Sequence, residues 1–265
     1  MLTLLIAVVI SANQGSAVQV TLPDEPGVKS VEIAWSDKKV PAFKVENHWT
    51  TILGVDLDAK PGKHPTDAVF TMQDGTVQER EVVIEVEPKK YPTTELKVAE
   101  KYVELSKPDL ARALREDKEV KAIFAKITSE ALWNKPFEVP IPGETSGTNF
   151  GHRRIFNGEP RAPHAGADLH AQTGTPIHAV NGGRVVLAKN LFFTGNTVIL
   201  DHGLGIYSLY AHLSRIDVKV GRTVANGELL GLSGATGRVT GPHLHWGMTV
   251  QGARVDPFTL LNMGK

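Results

Sequence analysis

A mainly β chain, built as two β bodies joined by a helical linker, is what the sequence predicts, and three observations predict it. Short alternating apolar runs fill residues 18 to 90, one capped helical period follows Ser106, and β-like runs separated by Gly and Asn resume after Phe150. At 265 residues and 41% apolar side chains, the chain can bury two modest cores. The expected organisation is a leader over 1–17, a small β-sandwich over 18–90, a linker with a helix over 91–140 and a second, antiparallel β domain over 141–265.

The first element is the apolar run Leu2 to Ile10, followed by the small and polar stretch Ser11 to Ala17. Its length fits the apolar region of a secretory leader and falls short of the roughly 20 residues that span a bilayer. The expectation is therefore export, with cleavage after Ala17 and no membrane span in the mature protein. No Lys or Arg precedes the run, and a buried first strand is the competing reading.

In the sandwich, Val31, Ile33 and Trp35 alternate, as do Val82, Ile84 and Val86, each set marking one strand face. Asp74-Gly75 between two such runs predicts a tight hairpin turn. This region carries no evident chemistry. His48 and His64 stand alone, and Asp56-Leu57-Asp58 lacks the glycine and terminal glutamate of a calcium loop. Ser106-Lys107-Pro108-Asp109 then reads as a helix N-cap, and Leu110, Leu114, Val120, Ile123 and Phe124 keep a helical spacing towards Ile127. A Pro, Gly, Ser and Thr-rich stretch, Pro136 to Gly151, leads into the second domain. There Pro176 to Val180, Gly183 to Leu187, Asn196 to Asp201 and Ile206 to Ala211 are the expected strands.

Charge and composition narrow the function. Lys plus Arg and Asp plus Glu both number 29, so nothing marks a nucleic-acid binder. From Ile141 onward there are 11 basic and 7 acidic side chains, a bias that suits an anionic substrate and equally fits ordinary surface scatter. The absence of cysteine excludes disulfides, zinc ribbons, thiol catalysis and a lipidated N-terminal cysteine.

Eight of the ten histidines follow residue 150, and two patterns organise them. In Gly241-Pro242-His243-Leu244-His245-Trp246, the two histidines share one strand face about 6.5 Å apart. In His164-Ala165-Gly166-Ala167-Asp168, a glycine permits a turn that brings imidazole and carboxylate together. Two imidazoles and a carboxylate form the three-ligand set with which zinc keeps a position open for water. No His-Glu-x-x-His helix, Gly-Lys-Ser/Thr loop or Gly-x-Ser-x-Gly elbow competes with this reading.

His164-x-x-x-Asp168 and His243-x-His245 resemble the paired signature of the lysostaphin-type zinc endopeptidases. Gly174-Thr175-Pro176-Ile177-His178-Ala179, Gly183, Gly195-Asn196, Asp201-His202-Gly203 and Tyr210-Ala211-His212-Leu213 are similar to that family's intervening strands. The resemblance extends from about Phe150 to Phe258 and implies a compact, antiparallel β catalytic domain. It further implies one zinc ion per chain held by His164, Asp168 and His245, with His212 and His243 as the catalytic pair. The function it implies is hydrolysis of peptide bonds in bacterial peptidoglycan, by a monomer in the cell envelope. The alternative is a silent peptidoglycan-binding or hydrolase-activating relative. His178 and His202 fall in matching segments outside the signature and read as packing or hydrogen-bonding residues, His170 as a neighbour of the ligands. His152, Arg153 and Arg154 are expected either to line the groove and meet substrate carboxylates or to be surface charge.

Overall fold

The computed structural model describes residues 8–97, 104–261 and 263. In the amino-terminal body the strands are β1 (Val8–Asn13), β2 (Ser16–Pro23), β3 (Val28–Trp35), β4 (Lys38–Pro41), β5 (Phe43–Val45), β6 (His48–Val55), β7 (Gly62–Met72) and β8 (Val77–Glu87). Among the described residues they make a five-stranded sheet, β1-β8-β7-β3-β4, and a three-stranded sheet, β2-β6-β5. Val31, Ile33, Val82, Ile84 and Val86 meet Val20 and Leu53 in one core, as their alternation requires. Val83, the apolar exception, is also buried, on the opposite face. Asp74-Gly75 turns β7 into β8, with Gly75 at φ +86°.

Part of the expected leader falls on described strands. Val8–Asn13 pairs in parallel with Val82–Glu87, and Ala17 is buried in the core of the second body. Cleavage after Ala17 would remove β1 and the start of β2. A continuous apolar run of this length fits a leader and a sheet strand equally. Residues 1–7 of that segment lie outside the described residues.

The linker holds β9 (Thr93–Leu96) and the helix α1 (Lys107–Phe124). Ser106 caps α1, its hydroxyl accepting from the Asp109 amide, and the helix ends near the residue where the apolar period stops. Val120, Ile123 and Phe124 pack on Leu187, Leu191, Ile199 and Tyr207, whereas Leu110 and Leu114 remain exposed.

The second body begins its packing upstream of residue 141, with Trp133 and Phe137 already in its core. β10 (Arg153–Phe156) and β11 (Glu159–Arg161) form a hairpin, and β10 also pairs in parallel with β9. Then follow β12 (Ala167–Leu169), β13 (Pro176–His178), β14 (Gly183–Leu191), β15 (Gly195–Gly203), β16 (Ile206–Leu213), β17 (Arg215–Ile216), β18 (Thr223–Val224), β19 (Leu229–Leu232), β20 (Leu244–Val250) and β21 (Ala253–Val255). The central antiparallel sheet runs β12-β20-β16-β15-β14-β18, with β21 on β20. A smaller sheet, β13-β19-β17, closes the core over Val198, Leu200, Tyr210 and Trp246. The two bodies join where the buried Gln251 side chain bonds Gly54 and Ile52, and where Arg254 pairs with Asp56 and Asp58. No helix among the described residues is long and apolar enough to cross a membrane.

Candidate metal centre and active site

β20 is the strand on which the site is assembled. Its His245 lies opposite Asp168 of β12 on one side and Ala211 of β16, next to His212, on the other. His243 sits just before β20, its amide donating to the Gly234 carbonyl. The Gly-rich loop ahead of it thus delivers His243 to the cleft. His164 is held by backbone bonds to both sides of the Gly151-His152 segment.

Three ligand atoms converge. His164 Nε2 lies 2.7 Å from His245 Nδ1 and 3.2 Å from Asp168 Oδ1, and His245 Nδ1 lies 3.0 Å from the same oxygen. These atoms all fall within 4.8 Å of one another, compact enough for one ion at ligand bonds of about 2.0–2.2 Å. Two imidazole nitrogens and a carboxylate oxygen pointed at one spot repel unless a proton or a cation lies between them. The donor set therefore fits a divalent metal, and a nitrogen-rich one best.

The protonation states agree. Burial pushes His164 down to about 4, against the opposing hydrogen bond to Asp168, so its ring is neutral near pH 7. For Asp168, burial opposes ionisation, but the close polar contacts with His164 and His245 prevail and hold the carboxyl well below its usual range. Because the Asn149 carbonyl can only accept, His164 Nδ1 donates to it and Nε2 is left bare for metal.

His212 and His243 stand beside this cluster, their ring centroids 4.9 Å apart. His212 Nδ1 donates to the Thr236 carbonyl at 2.8 Å and His243 Nδ1 to the Gly241 carbonyl at 2.9 Å. By the same tautomer argument, both Nε2 atoms are free to exchange protons in the cleft. Burial, followed by the nearby His245, lowers His212 to about 3. Its backbone is left-handed, at φ +64°.

The five residues singled out in the sequence line one cleft of about 200 Å³. His152 and Arg154 line it too, but Arg153 faces a separate depression beside Tyr91. His170 is exposed and is not among the residues that line the cleft. His202 is fully buried, bonded to the Gly182 carbonyl and Ser208, and His178 is half-buried. Sequence reasoning missed Asn149, whose amide lies 3.3 Å from Asp168 Oδ2. It also missed Thr94 of the linker strand, which bonds His152 at the cleft, and Arg238. A left-handed Asn149 two residues before Gly151 was the available signal for the first; the other two have none.

Comparison with known proteins gives this geometry a lineage. Residues 162–257 match the profile of Peptidase family M23. Over 110 residues, 41% of this chain, the sequence is 44% identical to the peptidoglycan DD-endopeptidase ShyA of Vibrio cholerae, of which the match covers 26%. Over 152 residues, 57% of this chain, it is 32% identical to ShyB of the same organism, covering 35% of that protein. The chain thus spans between a quarter and about a third of these relatives. A solved Pseudomonas aeruginosa protein assigned to peptidase M23 superposes with a TM-score of 0.65 at 29% identity, over 94% of this chain and 95% of that one.

Proposed function

We propose, from the premise that residues 162–257 form a Peptidase family M23 domain, that this chain is a zinc metalloendopeptidase cutting peptide bonds in bacterial peptidoglycan. The observation that carries the reading is the convergence of His164, Asp168 and His245 on one point, with two further imidazoles alongside. A zinc ion held by these three residues would supply a Lewis acid for the scissile carbonyl and lower the pKa of water in its open position to about 7. Asp168 contributes the one negative charge of the set. His164 and His245 contribute ring nitrogens whose direction is fixed by backbone and carboxylate partners. His212 and His243 act on the substrate side: one Nε2 accepts the proton of the attacking water, and the imidazolium so formed hydrogen-bonds the developing oxyanion and then gives that proton to the leaving amine. The relatives named DD-endopeptidases support peptidoglycan as the substrate and the cell envelope as the place of action. Retention of all five residues counts against a silent binding or activating role.

Digestion of purified peptidoglycan of several cross-link types by zinc-loaded protein, with mass analysis of the fragments, tests the reading. New amino termini should appear and should vanish on chelation. Intact cross-links in every sacculus type, with one zinc bound per chain, would overturn it.

A further inference from the structure

Strands β15 and β16 fall out of step beside His212. Asn196 of β15 faces Leu213 of β16, and Val198 faces Tyr210. Thr197 therefore lies opposite both Ala211 and His212, which makes a β-bulge on β16. Within that bulge His212 is the residue with the left-handed backbone. A bulge interrupts the ladder, and the backbone groups it frees need other partners.

Thr236, in the loop ahead of His243, supplies them. Its hydroxyl accepts from the Asn196 amide at 2.9 Å and donates to the Leu213 carbonyl at 2.8 Å, standing in for a rung between two residues that face each other. Its own carbonyl receives the His212 Nδ1 proton at 2.8 Å. One residue thus fills the bulge with its side chain and holds the imidazole with its main chain. Gly195 makes room for it. There φ is +62°, and a Cβ would lie 2.5 Å from the Thr236 carbonyl oxygen and closer still to its hydroxyl. Neither Thr236 nor Gly195 lines the cleft, so any effect they have on chemistry passes through His212.

We infer that Thr236 and Gly195 are positioning residues: the Thr236 hydroxyl, seated in the space that Gly195 leaves, fixes the direction and the tautomer of His212. A carbonyl can only accept, so a Thr236 carbonyl locked in place commits the ring proton to Nδ1 and turns a bare Nε2 to the cleft. Without the hydroxyl that carbonyl is free to swing, and both tautomers become open to the ring. For its kinetic arm alone, the inference rests on the reading of His212 as a proton-transfer group. A displacement of about 1 Å in such a group costs about 10²-fold in rate, and the loss falls on kcat because substrate binding does not depend on it.

The test compares Thr236→Val, which keeps the shape and removes the hydroxyl, with Thr236→Ser, which keeps the hydroxyl, and Gly195→Ala, which denies it its seat. Zinc content, kcat and KM on a soluble cross-linked muropeptide, and nitrogen NMR of the His212 ring are measured on each zinc-loaded chain. The Val and Ala variants should hold one zinc per chain and an unchanged KM and lose about 10- to 100-fold in kcat. Their His212 signals should move from a single protonated Nδ1 to an average of the two tautomers. Thr236→Ser should recover most of the rate and the wild-type ring signal. An unchanged kcat and ring signal in folded, zinc-loaded Thr236→Val would overturn the inference, as would a Ser variant as slow as the Val one. If Thr236→Val does not fold, Gly195→Ala decides by the same two readouts, and loss of fold or zinc in both would make the pair mere scaffold and overturn it as well. A ring signal that shifts as expected in a protein whose wild type cuts nothing would sink the hydrolytic reading and leave the positioning role standing.

Discussion

His212 holds a left-handed backbone, φ +64°, that costs an L-residue roughly 1–3 kcal/mol. Its amide bond to the Thr194 carbonyl and its ring bond to Thr236 keep it there. Strain of this kind at the end of β16 aims the imidazole into the cleft in place of the sheet face. His212→Ala and His212→Gly should therefore both retain zinc and lose about 10²- to 10⁴-fold in turnover. Glycine is at home at positive φ, so the Gly variant should be the more stable of the two by about 1 kcal/mol in denaturant titrations. Equal stabilities would mean that the backbone is relaxed as it stands. His243→Ala should likewise keep its metal, since its Nδ1 is committed to Gly241 and its Nε2 lies 3.7 Å from Asp168 Oδ1, outside the tight three-atom cluster. His245→Ala leaves two ligands and should release zinc and activity together, read by metal analysis of the dialysed protein. Retained stoichiometric zinc there would reassign the ligands within the His-x-His pair.

At the scale of elements, the sheet that walls the cleft depends on a close approach at Gly151. Its φ is +73°, and a Cβ on it would stand 2.2 Å from the Tyr91 ring. Tyr91 is pinned in turn by its hydroxyl, which donates to the Gln14 carbonyl. Gly151→Ala should destabilise the chain by about 2–4 kcal/mol and weaken zinc binding, because the same segment holds the His164 backbone. Unchanged melting with normal zinc affinity would refute that coupling. Elements whose residues alternate or cap were legible beforehand: the β3 and β8 faces, the Asp74-Gly75 turn, the start of α1 at Ser106. The convergence of His164, Asp168 and His245 was legible too, since metal chemistry restricts residue type as strongly as spacing. β9 and β10 were not. Thr93–Leu96 and Arg153–Phe156 show no apolar alternation, and a polar strand gains its stability from a partner 60 residues away in sequence. The run that leads into β1 is ambiguous for the opposite reason, an excess of apolar signal that a leader and a sheet strand both satisfy.

For the molecule as a whole, the two bodies are bound by polar groups that have no substitute once buried. The Gln251 side chain accepts from the Gly54 amide and donates to the Ile52 and Leu204 carbonyls, at 2.8–3.1 Å. Gln251→Leu would strand these groups and should cost at least about 2 kcal/mol, converting a single thermal transition into two. One unchanged transition would show that the Arg254 pairs with Asp56 and Asp58 suffice. Acid should weaken the fold through His202, fully buried and pushed by that burial down to about 4. Below pH 6.5 the unfolded chain takes up a proton there that the folded chain refuses. Stability from this group is complete above about 6.5 and lost as pH falls towards 4, a decline that His202→Gln should flatten in denaturant titrations across that range. An identical slope in the variant would assign the acid sensitivity elsewhere. The pairing of Asp168 with His245 across β12 and β20 joins residues 77 apart in the chain. A nascent chain that has exposed His164 and Asp168 holds only two ligands, one turn apart in sequence, and binds no ion firmly. On the proposed ligand set, metal selection would wait until β20, which carries His245, has docked on β12. The compartment in which that docking occurs, with its own supply of free ions, would then decide which element the site takes up.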